Sequence, residues 1–183
     1  MDCLCSSSMW QFSQTYGFII QSGVIAISAI VAMRSIQSSK ETAKKRATID
    51  AFLKFRDDDK IVKAKAEIKK IHDRAKLPEN GSKLNGDLKS YANQTGSDEF
   101  NAILAMLNYY EFISAGIFEG AFDEGTFKRM QYKQLDRDYD TMIPFVIELR
   151  KNKAESGHPQ PTMFQEFEKL GAKWKEKPLK SYN

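Results

Sequence analysis

No formal charge occurs from Cys3 to Met33, and within that stretch the run from Gly17 to Met33 is apolar on nearly every side before Arg34 closes it. As a helix, Tyr16 to Met33 rises about 27 Å, and a start near Phe12 or Trp10 would carry it past the hydrocarbon thickness of about 30 Å. The pattern predicts one membrane-spanning helix. A secretory signal peptide would need a basic segment before its apolar core, and only Asp2 and the amino terminus carry charge there. A buried core helix would need other segments of comparable all-round apolarity, and the rest of the chain has none. Arg34, Lys40, Lys44, Lys45 and Arg46 follow the span against the single acid Glu41. By the positive-inside rule that cluster places the carboxyl side in the cytoplasm and the short amino-terminal tail outside. Gly17, Gly23, Ser22 and Ser28 are small residues of the kind that let helices associate in lipid.

After the span the pattern is helical throughout, with no useful β alternation. From Lys40 to Arg56 the residues Ala43, Ala47, Phe52 and Phe55 form a rough stripe that continues the membrane helix. The acids Asp57, Asp58 and Asp59 supply a cap and first-turn charge for a helix with Ile61, Ala64, Ile68 and Ile71 on one face, read as half of a helical hairpin. Pro78, Asn80-Gly81, Asn85-Gly86 and Gly96 mark a polar linker with a short helix around Leu88 and Tyr91. Ser97 or Asp98 then caps the core helix, Glu99 to about Ala115, with Phe100, Ile103, Leu104, Leu107, Tyr110 and Ile113 at helical spacing and Gly116 as its stop. Asp123 caps the next helix, which turns Phe127, Met130 and Leu135 inward. Another is expected from about Asp140, with Pro144 in its first turn, and Thr162 with Gln165 forms a capping box for a last helix carrying Phe164, Phe167, Leu170 and Trp174.

The expected fold class is all-α: one N-terminal transmembrane helix followed by a cytosolic helical bundle. Its parts are an extracytoplasmic tail (1–15), the transmembrane helix (16–34), a juxtamembrane helical hairpin (35–76), a polar linker (77–97), a helical bundle core (98–176) and a tail (177–183). The formal net charge is +4, and the cluster from Arg34 to Arg46 supplies all of it. With a second patch at Lys169, Lys173, Lys175, Lys177 and Lys180, basicity sits at two ends, which suits anionic lipid headgroups better than a nucleic-acid stripe. No nucleic-acid partner is expected. Cys3 and Cys5 are the only cysteines, which excludes a disulfide framework or a cysteine metal site in the main domain. His72 and His158 lack ligand company at short spacing.

Leu107-Asn108-Tyr109-Tyr110-Glu111-Phe112-Ile113, followed by Gly116-Ile117, Gly120 and Asp123-Glu124, resembles the signature of a bacterial and phage family catalogued as domain of unknown function 4760. The resemblance runs from Arg46 to Trp174. It implies a single amino-terminal span, a helical cytosolic domain and a prokaryotic or phage origin, and it brings no activity, cofactor or catalytic residue.

The most suggestive polar centre is Asn108, Tyr110 and Glu111 on the core helix, with Asp123 beyond the turn. Glu111 lies three residues from Asn108 and so on the same face of an apolar helix, where a carboxylate must be paired, exposed at a cleft or protonated. Convergence of Glu111, Asp123 and Glu124 on a divalent metal is one arrangement. The favoured one is a structural carboxylate bonded to turn backbone or to Arg129 or Arg150. Arg137, between Asp136 and Asp138, reads as part of a solvated face. Grouped histidines, phosphate loops and nucleophile elbows are lacking, so the expectation is no enzyme, no metal and no cofactor. The leading function is a membrane-anchored interaction module in the cytoplasmic (inner) membrane, binding a protein partner or a second copy of itself. A phage or host defence factor that oligomerises through its span is the alternative.

Overall fold

The computed structural model describes residues 6–75 and 88–179, and every regular element among them is helical. Expectations placed on Cys3, Cys5, the His72 side chain, the linker before residue 88 and residues 180–183 lie outside the described residues. By internal contacts the chain forms two units, Met1–Ala43 and Lys44–Asn183, and helix α1 (Ser6–Arg56) runs through the boundary.

In the first unit the described apolar side chains of α1, from Ile20 onward, have no cover. Ile20, Ile25 and Met33 are exposed by 65%, 69% and 70%, and the helix from Ile20 onward is long enough to cross a membrane and holds an apolar window of 18 residues with none of that window buried inside the protein. Exposed apolar surface of this extent would be costly in water. A buried core helix is therefore not its role.

The second unit is organised around α3 (Asp98–Phe118). Its first turn is capped by Ser97, whose Oγ accepts the Phe100 N–H at 3.0 Å. Ile103, Leu107, Tyr110 and Ile113 are wholly buried along it. Helix α2 (Asp59–Ala75) begins where Asp58 Oδ1 accepts the N–H groups of Lys60 and Ile61 at 2.8 and 3.3 Å, so the middle acid of the triplet is the cap. The face carrying Ile61, Ala64, Ile68 and Ile71 is buried as expected, but its packing partner is α3, the densest apolar surface available, rather than the end of α1. A short 3₁₀ helix, η1 (Leu88–Asn93), seats Leu88 and Ala92 and packs on α4.

Gly116 does not stop α3. The helix runs on to Phe118 and closes through Gly120, whose φ of +70° suits glycine. The Ala121 N–H reaches the Gly116 carbonyl at 2.8 Å and the Gly120 N–H that of Ile117 at 3.1 Å, the paired bonds of a Schellman cap. Gly116 serves packing instead: a Cβ there would collide with the Phe122 ring as the chain folds back.

Helix α4 (Glu124–Glu155) is one element where the sequence suggested two. Pro144 lies deep inside it and removes one backbone bond at a cost of about 3 kcal/mol. Met142, Phe145 and Val146 around it are buried, and burial of about 1.5–3 kcal/mol per large apolar side chain offsets the loss. Helix α5 (Gln165–Glu176) buries Phe167, Leu170 and Trp174 against α3 and α4. Gly171 permits that approach, because a Cβ at this position would overlap the Tyr139 ring.

Candidate functional site

Two polar centres flank the apolar core of α3, and each contains one of the residues singled out from sequence. Glu111 is half-buried and its carboxylate spans the start of α5: Oε1 accepts the Glu166 N–H at 3.2 Å and Oε2 the Phe167 N–H at 2.8 Å. The first N–H groups of a helix need acceptors. The expected capping box of Thr162 and Gln165 does not form. Phe164 occupies the cap position with a left-handed backbone (φ 58°) and no side-chain bond, so a residue from α3 does the capping. Arg150 grips the other side of that turn, with Nε and a terminal nitrogen donating to the Met163 carbonyl at 3.0 and 2.7 Å and an ion pair to Glu168 at 2.9 Å. Left-handed phenylalanine is sterically disfavoured, and these two grips on either side hold it. Glu111 thus binds backbone, though that of α5 rather than the turn after α3, and Arg150 binds the same turn rather than Glu111.

The second centre is the pair Tyr110 and Asp138. Asp138 is 4% exposed, which corrects the reading of this charged stretch as a solvated face. Its Oδ2 accepts the Tyr110 hydroxyl at 2.6 Å, and its Oδ1 takes Nε and a terminal nitrogen of Arg137 at 3.1 and 3.0 Å. Burial first, and the neighbouring Asp138 charge second, push the Tyr110 phenol well above its ordinary value, so it stays a donor. Both carboxylate oxygens are therefore occupied.

Above this pair lies a cleft of about 460 Å³ between α2 and α4, with Met106 of α3 beneath. Lys65, Ile68, Lys69 and Asp73 line it from one face of α2, and Gln134, Arg137, Asp138 and Thr141 from one face of α4. Both sets follow helical spacing, a polar signal present in the sequence but not separable from an ordinary solvated face until both helices are placed on α3. Lys65 is partly desolvated, and burial lowers its pKa against the opposing pull of Asp138.

The remaining sequence candidates lie apart from both centres. Asn108 is exposed. Asp123 caps α4, accepting the Thr126 N–H at 2.7 Å, while its own N–H donates to Thr48 Oγ1 at 2.7 Å. Thr48, wholly buried and donating in turn to the Lys44 carbonyl at 2.7 Å, thereby ties the end of α1 to the α3–α4 turn. No sequence pattern drew attention to it. Glu124 accepts Lys173 at 2.6 Å and the Trp174 indole N–H at 3.0 Å. Glu111, Asp123 and Glu124 thus serve separate partners, and among the described residues no group of three His, Cys, Asp or Glu side chains is placed to hold a metal. The basic residues Arg34, Lys44, Lys45 and Arg46 are exposed along α1.

These features define an all-helical domain built on a central helix, behind one long apolar amino-terminal helix. Residues 22–174 match the family described as domain of unknown function, DUF4760, and the chain belongs to that family. No curated protein and no solved structure matches the chain.

Proposed function

We propose that this protein is a membrane-tethered interaction module, with the tail before α1 outside the cytoplasmic membrane and the bundle inside it, acting through contact with a protein or a second copy of itself. The uncovered apolar surface of α1 from Ile20 onward carries the reading, since lipid is the surrounding that removes its cost. The basic cluster after Met33 supports the orientation. Exposed Ile49, Leu53 and Phe112 on the second unit support contact with another protein. Phe112 is 52% exposed although its ring meets Phe55 at 5.6 Å and Phe122 at 5.7 Å. Aromatic side chains left open in this way are favoured anchors at interfaces.

Carbonate extraction of membranes from cells making the full chain tests the tether: the protein should stay in the pellet, and release into the supernatant would contradict it. Exchanging residues 16–33 for an unrelated apolar helix should preserve function if the span is a tether. Loss of function with membrane retention would mean that the span itself makes specific contacts.

A further inference from the structure

The cleft between α2 and α4 has a charge pattern that the packing of the bundle does not require. Lys65 and Lys69 are four residues apart and present like charges on one helix face, an unfavourable arrangement. Neither is within ion-pair distance of a carboxylate among the described residues. Asp138, the acid at the base, already has both oxygens bonded to Tyr110 and Arg137. It also fixes the Arg137 guanidinium at the cleft wall, although 66% of that side chain stays exposed. Three cations, Lys65, Lys69 and Arg137, and two carboxylates, Asp73 and Asp138, thus line a space of about 460 Å³ with an excess of positive charge, within the size range of small-ligand sites. Its floor is apolar, with Ile68 and Met106 both buried.

We propose that this cleft binds a multiply charged phosphate group, with Lys65 and Lys69 neutralising it and Arg137, oriented by Asp138, donating to its oxygens. A compact polyanion relieves the repulsion between the lysines and compensates the partly desolvated Lys65. Ile68 and Met106 would take the apolar part of a phosphate ester. The phosphate belongs either to a soluble ester or to a lipid headgroup, and the proposal holds wherever the chain resides.

The test uses the full chain in zwitterionic detergent micelles, titrated with inorganic pyrophosphate by calorimetry, and in nanodiscs with or without a phosphoinositide. Saturable binding of pyrophosphate is expected, weakened about tenfold or more by Lys65→Met with Lys69→Met. A control pair, Lys63→Met with Lys133→Met, removes equal charge outside the cleft and should leave the affinity within about twofold. Pyrophosphate should raise the melting temperature of the native chain but not of the cleft variant, whose unliganded melt should be equal or higher because a like-charge pair is gone. The single changes Lys65→Met and Lys69→Met stand in if the double variant fails to fold. A lysine-dependent melting shift only with the phosphoinositide assigns the site to a headgroup. Absence of a saturable response in both arms, or equal weakening by the control pair, overturns the proposal.

Discussion

At the residue scale, the stability of the bundle rests on carboxylates that join elements distant in sequence. Glu111→Ala leaves two N–H groups at the start of α5 without their acceptor, beside a strained Phe164, and should cost about 1–3 kcal/mol in a denaturant melt. Glu111→Gln keeps one acceptor oxygen and should cost less. Equal stability of Glu111→Ala and the native chain would remove Glu111 from the cap. Asp123 offers a pH-resolved counterpart. Its bond from Thr126 holds its carboxyl below the ordinary value. The stabilisation is therefore present above the unfolded pKa of about 3.9 and fades as pH falls through the lowered native value. Asp123→Asn, which caps without titrating, should make the acid limb of stability against pH shallower. An unchanged limb would contradict the cap. That Asp123 begins one helix and Ser97 or Asp98 another was legible, because a cap bonds to backbone two or three residues away. Thr48 on Asp123, Glu111 on α5 and Asp138 under Tyr110 span 75, 55 and 28 residues. No local pattern encodes such partners.

At the scale of elements, hydrophobic periodicity placed α2, α3 and α5 and the short helix near Leu88, while both errors of extent came from reading Gly and Pro as punctuation. Gly116 and Pro144 sit inside helices because packing outweighs propensity there, at Phe122 for the first and at Met142, Phe145 and Val146 for the second. Pro144→Ala should restore a backbone bond within α4 and raise stability by up to about 3 kcal/mol. A loss of stability would show that the proline ring is itself well packed. Gly171→Ala, favourable by about 1 kcal/mol in a solvated helix, should destabilise here because Tyr139 fills the space. Removing that ring as well, in Gly171→Ala with Tyr139→Ala, should cost less than the sum of the single changes. Strict additivity would place Tyr139 out of contact with α5.

For the whole molecule, the division into an apolar helix and a polar helical domain was readable from charge alone, since Cys3 to Met33 lacks formal charge and no later stretch of comparable length does. The cleft was not readable, because its two polar faces belong to helices brought together only by α3. The central claim is that α1 crosses a membrane with its amino-terminal end outside. Cys3 and Cys5 are the only thiols of the chain and both lie in that tail, so a membrane-impermeant maleimide reports its side directly. Labelling in intact cells, reduced when Lys44, Lys45 and Arg46 are moved to the amino terminus, is the predicted result. Labelling that appears only after lysis would contradict it.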